Sequence, residues 1–236
     1  MIDEVVSVKK VNIKSKRYDL TIKDNNNFYA NDILVHNCQN IPWVLQDEDS
    51  DWYTSEKIDG QSATYWYKKN GWFGFDFGIC SRTVRKFELD NSNWSRVARE
   101  LEIKKKLKEI YKHYGELAIQ GEIIGSNIQG NKYRLAQGEY KFFVFNVYSI
   151  SQRIYLPIDL AQTVTKQMGL TFVPVLGIGI KLPKTVDECL EFVKGYSCLP
   201  WIADKKVIRE GIVFRKFDKS KSFKCVNNDW LLNNKE

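Results

Sequence analysis

A lysine in the segment Glu56-Lys57-Ile58-Asp59-Gly60 is the first candidate for a chemical role. The segment ends a run of turn residues and directly precedes an aromatic hairpin, so we expect Lys57 at a strand edge that faces a cleft. A lysine in such a place can act as a nucleophile through its amine. The alternative is a solvated lysine beside a tight turn, and it is the better explanation for an isolated KxDG motif.

The elements around this lysine favour an α+β fold with antiparallel sheets. Two aromatic-rich runs, 62–67 and 72–77, are joined around Asn70-Gly71, which predicts a hairpin. Apolar residues recur near helical spacing over 96–114, with Gly115 as the stop. Further strands are predicted at 117–124, 140–148, 211–215 and 222–227, and helices at 159–168 and 185–194.

The composition excludes some classes of protein. The chain has 236 residues, 43% of them hydrophobic, and no apolar run approaches the ~18 residues of a membrane span. The first ten residues carry acids where a signal peptide needs basic residues, so we expect a cytoplasmic protein without a membrane partner. Five scattered cysteines without CxxC spacing argue against a disulfide framework and a zinc site. The net charge of +7 weakly favours an anionic partner such as nucleic acid or nucleotide.

Six segments, in this order, support a chemical role for Lys57. They are 56–60, Ile79-Cys80-Ser81-Arg82, Gln120-Gly121-Glu122-Ile123-Ile124-Gly125, the aromatic run 142–148, Glu210-Gly211-Ile212-Val213-Phe214-Arg215 and Ser222-Phe223-Lys224-Cys225-Val226. The order resembles that of the motifs of the covalent nucleotidyltransferase superfamily of polynucleotide ligases and capping enzymes. Within it, residues 38–236 are most similar to phage-type ATP-dependent RNA ligases.

The resemblance implies an antiparallel-sheet, ATP-grasp-like nucleotidyltransferase domain that seals 5′-phosphate and 3′-hydroxyl RNA ends through a lysyl-AMP intermediate at Lys57. It implies ATP as cofactor together with Mg²⁺ or Mn²⁺, which Glu210 helps to position. The implied nucleotide-binding residues are Glu56, Asp59, Gly60, Arg82 (nucleotide or RNA end), Glu122 (ribose), Phe145 (adenine stacking) and Lys224.

The nucleophile must lose a proton, which requires lowering the lysine pKa by roughly 3 units. We expect Lys224, with Arg215 and Lys216 on the preceding strand, to supply the positive field. Eight basic residues against two acids between Lys205 and Lys224 hold a charge excess suited to phosphates. The alternative to adenine stacking by Phe145 is packing in the core. The alternative to the ribose and metal roles of Glu122 and Glu210 is that both are exposed turn acids.

Two positions depart from the pattern of the family. Asn146 stands where many relatives have Asp, and Val226 stands where a second lysine often occurs. Lys221 is the candidate that could compensate for the missing lysine.

Residues 1–37 contain short strand patterns and end in His36-Asn37 before Cys38. They resemble the C-terminal splicing blocks of inteins. The resemblance implies that the Asn37 amide attacks its own carbonyl, that His36 donates a proton, that the Cys38 thiolate accepts the acyl group and that Asp19 tunes these steps. Asn26 replaces a histidine that many inteins carry.

We therefore expect a C-terminal split-intein fragment over 1–37 and an RNA ligase domain, lacking its N-terminal part, over 38–236. The small all-β fragment would complete a Hint fold with a separate N-intein/N-extein polypeptide. A truncated cis-intein or an engineered fragment is the alternative for the first part. A DNA ligase, a capping-type nucleotidyltransferase and a non-catalytic RNA-binding relic are the alternatives for the second. The sequence assigns no oligomeric state.

Overall fold

In this computed structural model, the described residues are 5–10, 18–22, 27–30, 33–36, 44–47, 51–72 and 74–234. The short strands predicted within 1–37 are present as two antiparallel pairs, β1 with β2 and β3 with β4. Their bounds are β1 Val5–Lys10, β2 Tyr18–Ile22, β3 Asn27–Ala30 and β4 Ile33–His36.

The ligase-like part contains eleven strands and five helices among the described residues. The strands are β5 Trp52–Lys57, β6 Gln61–Asn70, β7 Gly74–Cys80, β8 Arg85–Lys86, β9 Leu117–Gly125, β10 Tyr140–Ser149, β11 Ile154–Tyr155, β12 Thr171–Phe172, β13 Val175–Ile180, β14 Gly211–Lys216 and β15 Ser222–Val226. The helices are α1 Asn93–Glu100, α2 Ile103–Tyr114, α3 Ile158–Gln167, α4 Val186–Phe192 and α5 Asn228–Asn233, and short 3-10 helices cover Gln129–Asn131 and Pro200–Lys205.

The larger sheet has seven strands in the order β11-β10-β9-β6-β7-β8, with β12 beside β10. The predicted β6–β7 hairpin is confirmed: Asn70 pairs with Gly74, and Gly71 takes a φ of 65°, which a side chain disfavours. One face of this sheet packs on α1, α2 and α3 through a core that includes Tyr65, Leu107 and Val164. Part of the opposite face packs in a separate core that includes Phe143, Leu199 and Ile202.

One expectation about this part was wrong. The helix predicted over 96–114 is two helices, because Glu102 adopts a left-handed φ of 50° between α1 and α2. The apolar periodicity hides this break, since Val97 and Leu107 enter the same core on both sides of it. The predicted antiparallel sheets are confirmed, with one short exception: β12 runs parallel to β10, with α3 in the connection between them.

The smaller sheet has the order β13-β5-β14-β15 and carries Lys57 at the end of β5, opposite Gly211 of β14. Strand β13, which the sequence did not predict, covers the other edge of β5. A second core, with Trp52, Phe214 and Cys189, fixes this sheet against α4. None of the helices in the described part of the chain is long and apolar enough to cross a membrane.

Candidate active site

A cavity of about 420 Å³ opens where β5 of the small sheet passes into β6 of the large one. Every residue predicted to bind the nucleotide or to react with it lines this cavity. Glu210 does not line it but accepts a hydrogen bond from Lys57, which does. The lining comprises Ser55, Glu56, Lys57, Ile58, Asp59, Gly60, Ser62, Arg82, Glu122, Phe145, Val173, Val213, Arg215 and Lys224.

The Lys57 ammonium donates a hydrogen bond to Oε1 of Glu210, across 153 positions of sequence. Glu210 is only 8% exposed, and its Oε2 has no hydrogen-bond partner among the described residues. Burial raises the pKa of Glu210, and the nearby Lys57 opposes that rise. The carboxylate therefore holds the lysine amine with one oxygen and offers the other to a cationic ligand. The alternative of an exposed turn acid is therefore wrong for Glu210.

Glu122 lies on β9 beside Ser62 and is half-buried in the same cavity. Burial raises its pKa to about 7, Lys57 opposes the rise and Glu210 adds to it. Since the folded protein binds this proton more tightly than the unfolded chain does, ionisation of Glu122 costs stability as the pH rises from 4.5 towards about 7. A ligand that donates hydrogen bonds or brings positive charge would offset that cost.

Glu56 is 2% exposed, and its Oε2 accepts a hydrogen bond of 2.9 Å from the backbone N–H of Cys198. Its Oε1 is buried without a hydrogen-bond partner among the described residues. A buried, unsatisfied acceptor is costly, so such atoms are rare in folded proteins. In the wall of a cavity it marks a place where a ligand can donate a hydrogen bond.

The turn after Lys57 is fixed from both sides. The Asp59 carboxylate pairs with Lys132 Nζ at 2.9 Å, and the Asp59 backbone N–H donates to the Tyr133 hydroxyl at 2.7 Å. A Cβ on Gly60 would lie 2.2 Å from the carbonyl oxygen of Ile123, so only glycine fits against β9. The KxDG sequence therefore serves to position Lys57 as well as to line the cavity.

Phe145 reaches the cavity because β10 is irregular at this point. Val144 pairs with Gly121 and Asn146 with Gln120, which leaves Phe145 as the extra residue of a bulge. Its ring lies under Arg215, whose guanidinium carbon is 5.6 Å from the ring centroid. The ring is thus available to a ligand, although core residues also pack against it.

Arg215 faces the cavity as expected, and it donates a hydrogen bond of 2.8 Å to the Ser55 hydroxyl. Lys216 does not: its Nζ lies 3.1 Å from Asp47 and 3.6 Å from Asp51. The grouping of the two cations was wrong, because neighbouring residues of a strand point to opposite faces.

Fewer basic side chains of the stretch from Lys205 to Lys224 lie at the cavity than the composition of that stretch predicts. Only Arg215 and Lys224 of its described side chains line the cavity. Lys221 pairs with Asp47 at 2.6 Å, and so does not replace the missing lysine at Val226 in the cavity lining. Lys219 lies over the ring of Tyr53, where burial, with help from Arg215, lowers its pKa to about 8.

Several cavity residues were not predicted, among them Ser55, Ser62 and Val213. Strand alternation could have found Ser55, which lies two positions before Lys57 on the same face of β5. Asn146 is not in the lining; its amide donates to Gln120 at 3.3 Å.

The residues predicted for splicing are only partly within the described chain. Asp19 lies on β2 opposite Lys9, and His36 ends β4 opposite Asn27. Asn37 and Cys38 lie outside the described residues.

Residues 50–226 match the RNA ligase family. The chain belongs to that family. This assignment confirms the ligase part of the expected fold: an antiparallel-sheet α+β nucleotidyltransferase. A comparison of this RNA ligase family member with curated proteins gave no match.

Solved structures of Naegleria gruberi RNA ligase are similar to this family member. One variant with ATP and Mn is 29% identical with a TM-score of 0.70, covering 83% of this chain and 56% of that one. A second variant with ATP and Mn is 27% identical with a TM-score of 0.72, covering 89% and 59%. A variant with AMP and Mn is 27% identical with a TM-score of 0.71, covering 88% and 60%. The chain therefore spans less than two thirds of the length of these proteins.

Proposed function

We propose that this chain is an ATP-dependent RNA ligase that joins 5′-phosphate and 3′-hydroxyl RNA ends through a lysyl-AMP intermediate at Lys57. The observation that carries the proposal is the Lys57–Glu210 pair in a cavity with Glu56, Glu122 and Lys224. The similarity to an RNA ligase solved with ATP and Mn supports the choice of nucleotide and metal.

In the first step, the Lys57 amine attacks the α-phosphorus of ATP. A nitrogen–phosphorus bond forms, the bond to the bridging oxygen breaks, and pyrophosphate leaves. Glu210 holds the amine in place through their hydrogen bond, while Arg82 and Lys224 face the phosphates.

The later steps pass the AMP to RNA. The 5′-phosphate of RNA displaces Lys57 from the adenylate, and the 3′-hydroxyl of the other end then displaces AMP to form the phosphodiester. The covalent intermediate thus divides one difficult joining reaction into several easier displacements.

The residues present fit a divalent cation. Glu210 Oε2 is a buried carboxylate oxygen without a hydrogen-bond partner among the described residues. The described residues contain no group of three His, Cys, Asp or Glu side chains that could form a complete protein cage. Mg²⁺ and Mn²⁺ would then be held by Glu210 together with phosphate and water oxygens, the usual coordination in nucleotide sites. When bound, the metal neutralises charge that develops on the phosphates.

We propose that Glu56 gives the cavity its preference for adenine, with Phe145 stacking on the base. The Oε1 of Glu56, which has no hydrogen-bond partner among the described residues, can accept a hydrogen bond from the 6-amino group of adenine. The 6-oxygen of guanine would instead set two acceptors against each other. Sites built on a buried hydrogen bond discriminate strongly because the wrong ligand leaves a polar group unpaired.

The Glu56→Gln variant should therefore lower the ratio of ATP to GTP labelling by about tenfold or more. In the variant, the amide oxygen accepts from Cys198 N–H, and the amide NH₂ faces the cavity as a donor suited to guanine. The measurement compares covalent labelling by α-³²P ATP and GTP. Glu191→Gln, on an exposed helix residue, is the matched control, and an unchanged ratio for Glu56→Gln would remove this role.

The experiment that tests the ligase proposal uses the full chain with ATP and Mn²⁺ on a nicked RNA duplex carrying a labelled 5′-phosphate. We expect a covalently labelled protein and a joined RNA product, with nicked DNA joined at least about tenfold more slowly. Preferential labelling by GTP would favour a capping-type enzyme, and equal joining of DNA would favour a DNA ligase. RNA binding without any label from ATP would favour a non-catalytic relic.

We further propose that residues 1–37 act as the C-terminal fragment of a split intein, followed by the ligase domain over 38–236. A separate N-intein/N-extein polypeptide is the proposed partner. The two antiparallel pairs β1–β2 and β3–β4, with His36 at the end of β4, agree with a small all-β segment that leads the chain to Asn37.

A further inference from the structure

A partly exposed tryptophan lies on the sheet face that continues from the cavity. Ser62 lines the cavity, and Trp66 follows four positions later on β6. Tyr65 and Tyr67 are buried in the core, so Ser62 and Trp66 share the opposite face. At roughly 3.3 Å per residue, Trp66 lies about 13 Å from the edge of the cavity.

The indole of Trp66 lies against the backbone of the neighbouring strand. Trp66 pairs with Gly78 of β7, where an added Cβ would lie 1.9 Å from Cε2 of the indole. Only a glycine permits this close approach. The ring is therefore supported from beneath on the open face of the sheet.

Two basic side chains lie over this ring. Lys68 Nζ lies 5.4 Å and Arg85 Cζ 5.6 Å from the centroid of the Trp66 ring. Arg85 pairs with Cys80 at the end of β7. Arg82, two positions after Cys80 in the sequence, lines the cavity. Arg82, Arg85 and Lys68 thus connect the cavity to Trp66 through positive charge.

We propose that an RNA strand leaves the cavity along this face, with one base replacing Lys68 and Arg85 over Trp66 and these two side chains holding the adjacent phosphates. The inference rests on the proposed function, which places an RNA end in the cavity. A supported aromatic ring among cations is the combination that binds single-stranded nucleic acid, and such stacking tolerates any base.

The test measures binding of the full chain to a fluorescein-labelled single-stranded RNA by anisotropy. Trp66→Ala should weaken binding about 5- to 100-fold, and Trp66→Phe, which keeps an aromatic ring, should retain most of it. Trp72→Ala is the matched control, because Trp72 is 87% exposed at the tip of the same hairpin. For the Lys68→Ala/Arg85→Ala double variant, the slope of the logarithm of the binding constant against the logarithm of salt concentration should become shallower by about 1.4. Each lost phosphate contact accounts for about 0.7 of that change.

Covalent labelling by ATP is measured on the same variants, and it should be unchanged in Trp66→Ala. Wild-type RNA affinity in Trp66→Ala, or equal weakening in Trp72→Ala, would overturn the inference. So would loss of label and RNA binding together in both Trp66 variants, which would indicate a purely structural role. A further outcome is that neither the wild type nor any variant accepts label from ATP, while Trp66→Ala still weakens RNA binding. In that case the ligase proposal fails and the proposed RNA path over Trp66 stands.

Discussion

Replacing Lys57 by alanine should abolish covalent labelling of the protein by α-³²P ATP, a loss of about 1,000-fold or more. The amine of Lys57 is the atom that would form the bond to phosphorus, and Glu210 holds it in the cavity. The measurement is label that remains on the denatured protein after incubation with ATP and Mn²⁺. RNA joining from ATP should fall in parallel.

A second substitution separates chemistry from folding. Lys57→Ala leaves Glu210 buried without its ion-pair partner, so some loss of stability is expected. Lys57→Arg keeps a positive charge for Glu210 but provides no neutral amine, because the guanidinium stays protonated. Both variants should fail to label, whereas Lys69→Ala, on the exposed end of β6, should label as the wild type does. Wild-type labelling of either Lys57 variant would refute the assignment of the nucleophile.

The parts of the site that the sequence predicted are those encoded by short segments. Lys57, Asp59 and Gly60 lie in one turn between two strands, and that turn can be recognised from its residues alone. Glu122 and Lys224 were assigned through the resemblance of their short segments to motifs of the family. The order of the segments then fixed which of them should meet, and the cavity brings them together.

The remaining features depend on contacts between distant segments or on local irregularity. The pairing of Lys57 with one oxygen of Glu210 joins β5 to the residue before β14, which no local pattern contains. The bulge that turns Phe145 towards the cavity adds one residue to β10 without a glycine to mark it. Lys216 was misplaced because charge was counted along the chain rather than by strand face.

The proposed splicing activity makes Asn37→Ala the second variant with a large expected effect. Cyclisation of the Asn37 side chain is the step that would cut the chain before Cys38, and alanine has no amide to perform it. Release of residues 38–236 from residues 1–37 should therefore fall by at least about 100-fold. The chain is co-expressed with tagged N-terminal intein fragments, and mass spectrometry measures the ligated and released products.

The product pattern, rather than its amount alone, identifies the chemistry. Wild-type chain should give the tagged N-extein joined to Cys38, with residues 1–37 removed. Asn37→Ala should instead retain residues 1–37 on the chain and accumulate a branched species, because acyl transfer to the Cys38 thiolate does not need Asn37. Cys38→Ala should prevent the branch, and Asn31→Ala, an asparagine of the same segment, should splice normally. Normal splicing by Asn37→Ala would exclude cyclisation at this residue, and with it the splicing role proposed for the 1–37 segment.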